Sequence, residues 1–156
     1  MSESNATYTQ IHIQFVFAVK FRDALIHNNW KEELYKYITG IIQNNNHKLL
    51  AINGMSDHIH ILVGLRPIQS VSSLVNDIKS NSTKFINEKK FLAVRFEWQK
   101  GYGAFSYGKS QVQEVINYII YQEKHHEKKN FREEYTNFLK KFEIEYNDEY
   151  VFNELI

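Results

Sequence analysis

Asp57-His58-Ile59-His60-Ile61-Leu62-Val63-Gly64-Leu65 decides the fold and frames the chemistry. It reads as a β-strand, and strand side chains alternate between faces. Ile59, Ile61, Val63 and Leu65 therefore point into a core, while His58 and His60 point together the other way. Two neutral imidazoles on one face can share a divalent cation. They can equally be a pair of half-exposed strand histidines, and the segment alone leaves both readings open.

Upstream, Lys48 to Asn53 forms a short strand joined to the histidine strand through Gly54-Met55-Ser56-Asp57, a hairpin. Further back, Thr9 to Lys20 alternates Ile11, Ile13, Phe15, Phe17 and Val19 with Gln10, His12, Gln14, Val16 and Ala18, a long strand. Asn28 or Asn29 can cap the helix that follows, whose stripe is Trp30, Leu34, Tyr37, Ile38, Ile41 and Ile42. Downstream, Pro67 closes the strand region and Ser70 to Asn87 gives a second helix on Val71, Leu74, Val75, Ile78, Phe85 and Ile86.

Arg95 to Gln99 predicts a fourth strand, and residues 101–108, with three glycines, predict a loop. Ser110-Gln111-Val112-Gln113 fits a capping box opening a third helix on Val112, Val115, Ile116, Ile119 and Ile120. A fourth helix runs from Phe131 to Phe142 with Phe131, Tyr135, Phe138, Leu139 and Phe142 inward. This order predicts an α+β, ferredoxin-like (RRM-like) split βαβ sandwich: an antiparallel sheet with helices on one face, plus C-terminal helices. Residues 1–156 are expected to form a single domain.

Bulk properties narrow the chemistry. There are no cysteines, so disulfides and thiolate metal sites are excluded and any metal rests on His, carboxylate, amide or water. The first eight residues are polar and no apolar run approaches the roughly 18 residues of a membrane span, so a soluble, cytoplasmic protein is expected. Net charge is +1, which identifies no partner, but its distribution is uneven. Between Lys79 and Lys109 stand seven basic residues against Glu88 and Glu97, offset by an acidic tail of Glu143, Glu145, Asp148, Glu149 and Glu154. Lys79, Lys84, Arg95, Lys100 and Lys109, interleaved with aromatics such as Tyr102, are candidate DNA contacts. An ordinary solvated face over an aromatic core reads the same way.

Tyr118 and Gln122 lie four residues apart on the third helix, at the margin of its apolar stripe. Should that face pack across the histidine strand, His58, His60 and the Gln122 amide oxygen would make a three-ligand site, with Tyr118 one turn away. No acidic ligand or general base is evident beside the histidines, which tells against a plain metallohydrolase.

His58-Ile59-His60 resembles the HUH motif, and Tyr118-Ile119-Ile120-Tyr121-Gln122 resembles the YxxxQ helix of the single-tyrosine transposases of the insertion sequence 200/605 family, which act on single-stranded DNA. Thr7-Tyr8-Thr9-Gln10, Ser56-Asp57-His58, the run from Trp98 to Ser106 and that from Gln122 to Lys129 extend the likeness over nearly the whole chain. The resemblance implies that His58, His60 and Gln122 hold Mg²⁺ or Mn²⁺, and that Tyr118 attacks a polarised phosphate to give a 5′-phosphotyrosine and a free 3′-hydroxyl. It further implies subterminal DNA hairpins as ligands, and a homodimer in which the tyrosine helix of one subunit can complete the metal site of the other. Tyr121 is a competing phenol, about 60° around the helix from Tyr118 and further from the apolar stripe. His125 and His126 rank as supporting or surface residues. The alternative function is a catalytically inactive or domesticated protein that binds single-stranded DNA hairpins.

Overall fold

The β3 strand, His58–Gly64, is apolar on one face by pattern and flanked by a strand on each side, so it becomes the buried middle of a sheet. The computed structural model describes residues 6–127 and 129–147. Among these, β1 (His12–Ala18), β2 (Lys48–Met55), β3 and β4 (Gly103–Tyr107) form one antiparallel sheet in the order β2-β3-β1-β4. Helix α1 (Lys31–Asn44) connects β1 to β2 and α2 (Val71–Lys89) connects β3 to β4, the order of a split βαβ sandwich. Three helices follow: α3 (Val112–Ile120), α4 (Gln122–His126) and α5 (Phe131–Lys141).

Each face of the sheet has its own core. Phe15, Phe17, Ile59, Ile61 and Val63 pack against Leu34, Ile38 and Ile42 of α1 and Leu74, Val75 and Ile78 of α2. Val16, Ala18, Leu62, Phe105 and Tyr107 pack against Val112, Val115 and Ile119 of α3 and Phe131, Phe138 and Leu139 of α5. The expected helices on one face are thus α1 and α2, and the C-terminal helices cover the opposite face. Full burial of a Leu or Ile side chain stabilises by about 1.5–3 kcal/mol. Both faces are therefore sealed, and the histidines of β3 are enclosed between sheet and helices.

Several boundaries differ from the sequence expectation. The expected strand at Arg95–Gln99 makes only an isolated bridge, Val19 to Trp98. Phe96 and Trp98 are buried as the alternation suggested, but the Asn87 side chain takes both the N–H and the carbonyl of Phe96 (2.8 and 3.1 Å), in place of a ladder. The fourth strand falls instead in the glycine-rich segment expected to be a loop. Gly103 is there for close packing: a Cβ would stand 2.8 Å from ring carbons of Phe105 and Tyr135. Neither Asn28 nor Asn29 caps α1; Trp30 precedes it with no side-chain cap. Ser70 does cap α2, accepting from the Ser73 N–H. In place of a Ser110 capping box, the Gln111 side chain accepts from the Gly108 N–H. Asp148, Glu149 and Glu154 of the acidic tail lie outside the described residues. No helix among the described residues is long and apolar enough to cross a membrane.

Candidate active site

His58 and His60 have no solvent exposure, so they are not a half-exposed strand pair. Burying an imidazole without partners is costly, and each ring nitrogen here has one. His58 Nδ1–H donates to Asp57 Oδ1 at 2.7 Å. His60 Nδ1 lies 2.8 Å from Gln14 Nε2, and Gln14 Oε1 accepts from the Tyr107 hydroxyl at 2.9 Å. Both Nε2 atoms face the helices.

Facing them are α3 and α4. Asn53 on β2, directly opposite His60 in the β2–β3 register, donates to the carbonyls of Ile119 and Ile120 at 3.1 and 2.9 Å. It captures the otherwise unpaired C-terminal end of α3. At Tyr121 (φ −96°, ψ 32°) the chain leaves helical geometry, so the Tyr118–Gln122 segment is two helices and not one. The break still leaves Gln122 fully buried, its Oε1 3.3 Å from His58 Nε2 and its Nε2 3.2 Å from a Glu134 carboxylate oxygen. Tyr118 comes to the same point, its ring 6.0 Å from that of His60. Tyr121 is 59% exposed. The sequence expectation thus brings His58, His60, Tyr118 and Gln122 together within one chain.

The residue that sequence reasoning missed is Glu134, which corrects the expectation that no acid stands beside the histidines. It is 3% exposed. Oε1 lies 3.2 Å from His58 Nε2, 3.1 Å from His60 Nε2 and 2.9 Å from His126 Nε2. Oε2 accepts from the Tyr118 hydroxyl and from Gln122 Nε2. A signal existed: Glu134 falls in the buried stripe of α5 between Phe131 and Phe138, at the spacing where only apolar residues were expected. His126 is likewise part of the cluster, and His125 lies over the Tyr118 ring at 4.3 Å between centroids.

The electrostatics follow from this packing. Burial alone would drive Glu134 neutral, yet the His60, His126 and His58 imidazoles outweigh it and hold the carboxyl far below the usual range. Burial opposes charge on His58 too, but Asp57 and Glu134 prevail and raise it to about 9. For His60 burial wins and its pKa falls, with Glu134 only partly offsetting. Burial and the Glu134 charge push the Tyr118 phenol up, so it is a neutral hydroxyl here.

His58, His60 and Glu134 present ligand atoms within 4.8 Å of one another, and the Gln122 amide oxygen adds a fourth donor. Two imidazoles, an amide and a carboxylate, with no thiolate, suit a hard or borderline divalent ion. Coordination through His60 Nε2 needs a proton on Nδ1, hence Gln14 turned so that its oxygen faces the ring. Tyr107 permits this because a hydroxyl donates or accepts.

The proposed DNA contacts are dispersed. Lys79 is engaged within the chain: its ammonium donates to the carbonyls of Gln99 (2.8 Å) and Gly101, over the Phe17 ring. Burial lowers its pKa to about 8. Lys79 and Lys84 belong to α2, across the sheet from Tyr118, and Lys84, Arg95 and Lys109 are exposed. Lys100 and Tyr102 line a hollow with Ala18 and Phe131, at the His58 end of the sheet. Nearer to Tyr118 are Lys124, His125 and Lys129.

A family model described as Transposase IS200 like matches residues 7–122, well over half of the chain. The transposases for insertion sequence element IS200 of Salmonella typhimurium and Salmonella typhi are each 24% identical over 132 residues, covering 78% of this chain and 86% of theirs. Two solved structures share the fold. A proposed transposase from Deinococcus radiodurans aligns with TM-score 0.63 at 19% identity, over 78% of this chain and 98% of that one. A REP-associated tyrosine transposase bound to a REP hairpin aligns with TM-score 0.55 at 18% identity, over 76% of this chain and 70% of that one. The chain belongs to the IS200-like transposase family and is a DNA transposase. Glu134 and His126 lie beyond the matched residues.

Proposed function

We propose that the protein cuts and rejoins single-stranded DNA at insertion-sequence ends through a 5′-phosphotyrosine on Tyr118. The observation that carries this is the meeting of buried His58, His60 and Gln122 with half-buried Tyr118 at one point. His58 and His60 would hold Mg²⁺ or Mn²⁺ with Gln122, and Glu134 is suited to join them. When bound, the ion polarises the scissile phosphate and draws off developing charge.

The chain supplies the rest. Asp57 holds His58 with Nδ1 protonated, which aims Nε2 at the site. Gln14 does the same for His60 when its oxygen faces Nδ1. Tyr118 Oη forms the new bond to phosphorus while the bond from phosphorus to O3′ breaks. Glu134 Oε2 accepts the phenolic hydrogen bond and orients Oη, the phenolic proton is lost to solvent as the bond to phosphorus forms, and the departing O3′ takes a proton from solvent to become the 3′-hydroxyl. In rejoining, a 3′-hydroxyl attacks the phosphotyrosine: the O3′–P bond forms as the P–Oη bond breaks, the hydroxyl proton goes to solvent, and the phenolate takes one back from solvent with Glu134 Oε2 again accepting its hydrogen bond. The ester preserves the energy of the broken phosphodiester, so no nucleotide cofactor is required.

Hairpin DNA is the proposed ligand, supported by the hairpin-bound structural relative. The proposal includes a homodimer, one catalytic domain over residues 1–156 and a cytoplasmic location. Exposed Lys84, Arg95, Lys100, Tyr102 and Lys109 remain proposed DNA contacts, whereas Lys79 serves the fold.

Incubation of the protein with single-stranded element ends and Mn²⁺ should give a covalent protein–DNA adduct on a denaturing gel, and His58→Ala should abolish it. Hairpin binding that persists in His58→Ala, with no adduct from the unaltered chain, would establish the idle binding protein instead.

A further inference from the structure

Tyr118 and Glu134 stand in the wall between two hollows. On one side is a groove of about 610 Å³ with Lys124, His125, His126 and Lys129 along it. On the other is a cavity of about 300 Å³ bounded by Gln14, Tyr107, Asn137, Phe138 and Lys141. Lys124 and Lys129 suit the groove to a phosphate backbone. Lys129 also borders the cavity, which otherwise differs in kind: aromatic walls, the carboxamides of Gln14, Gln111 and Asn137, Lys141, and the Glu114 and Glu134 carboxylates.

Its walls are fixed. Phe138 stacks on Phe105 at 5.0 Å and meets Tyr118 edge-on at 5.9 Å. The Tyr107 hydroxyl is tied to Gln14 at 2.9 Å. Lys141 stands with its ammonium 5.9 Å from the Tyr107 ring centre. Asn137, exposed on α5, brings a carboxamide that can both donate and accept. Such a space lies at the small end of ligand sites, and an unstacked base is held by aromatic faces and by hydrogen bonds to its edge.

We propose that this cavity is a nucleobase pocket, receiving the base of the nucleotide that keeps the phosphate when the strand is cut. The proposal rests on Tyr118 as the nucleophile. In-line displacement puts the departing O3′ opposite Tyr118 Oη across the phosphorus, whereas the nucleotide joined through O5′ projects to the side. The cavity is walled by Tyr118 itself and by the carboxylate that binds its hydroxyl, within reach of that nucleotide. The base it takes therefore belongs to the nucleotide that becomes linked to tyrosine. Held there, the linked end stays in register while the other strand is exchanged.

The test is a calorimetric titration, with Mn²⁺ present, of the four 2′-deoxynucleoside 5′-monophosphates, their 3′-monophosphate isomers and deoxyribose 5-phosphate. At least one 5′-nucleotide should bind on the order of tenfold more tightly than deoxyribose 5-phosphate, the size expected of one stacked base. It should also bind more tightly than its 3′ isomer. Asn137→Leu, which projects into the cavity from an exposed helix position, should erase that base-dependent gain and leave deoxyribose 5-phosphate binding in place. Equal binding of all 5′-nucleotides and deoxyribose 5-phosphate, or of 3′ and 5′ isomers, would overturn the proposal. These ligands present no strand to cut, so the titration reads the pocket, while the covalent adduct separately reads Tyr118.

Discussion

Tyr118 donates its phenolic hydrogen bond to Glu134, whose other carboxylate oxygen faces the Nε2 atoms of His58, His60 and His126. One acid thus touches both the proposed nucleophile and the proposed metal ligands. Glu134→Gln keeps the shape and removes the charge that orients the phenol and faces the metal ligands. Single-turnover adduct formation should fall by about 10–100-fold, the usual cost of losing a group that supports a metal site. A wild-type rate would show that Glu134 serves neither Tyr118 nor the metal ligands.

Asn53 governs how the tyrosine helix meets the sheet. Asn53→Ala leaves the carbonyls of Ile119 and Ile120 without their donor, and should cost about 1–2 kcal/mol in urea unfolding. Mn²⁺ affinity should change less than cleavage, because His58, His60 and Glu134 do not depend on that bond. Equal loss of both would place Asn53 in the general scaffold.

Protons and metal compete for His58. Its pKa in the metal-free chain is about 9, above the ordinary 6.5. Its stabilising contribution is therefore fully present below pH 6.5 and is lost as pH rises through about 9. His60 shifts downward and acts on the acid side, but Lys79, lowered to about 8, titrates in the same range with the opposite sign, so the Lys79→Met background isolates His58 from pH 6.5 to 9.5. In that background metal-free protein should unfold at lower urea at pH 9.5 than at pH 6.5, while Mn²⁺ affinity should rise about tenfold per pH unit toward 9, as one proton is displaced. Affinity independent of pH across this range would contradict a charged His58.

Salt dependence separates the lysines. Lys79→Met should lower stability, since two carbonyls lose their donor, and leave the salt slope of DNA binding unaltered. Lys124→Ala and Lys129→Ala should each reduce that slope by about one, as expected for phosphate contacts. A reduced slope in Lys79→Met would restore it to the DNA-binding face.

Much of the fold was legible because it rests on local periodicity. The alternation in β1 and β3 and the helical stripes of α1 and α2 identify the sandwich. The Arg95–Gln99 segment misled because Phe96 and Trp98 are truly buried, while their backbone is satisfied by Asn87, a pairing that alternation does not encode. In the site, His58, His60, Tyr118 and Gln122 stood out through motif spacing. Glu134 did not, since its role arises from α5 folding back over the histidine face, and sequence distance conceals that contact. Asn53 was hidden for the same reason: its partners are carbonyls 66 and 67 residues away.

The central claim is that Tyr118 is the residue joined to DNA. Mass spectrometry of the adduct formed with Mn²⁺ and a single-stranded element end, together with Tyr118→Phe and Tyr121→Phe, tests it directly. A phosphodeoxynucleotide on Tyr118, with the adduct absent in Tyr118→Phe and retained in Tyr121→Phe, is the predicted result. An adduct mapped to Tyr121, or one that survives Tyr118→Phe, would contradict the account.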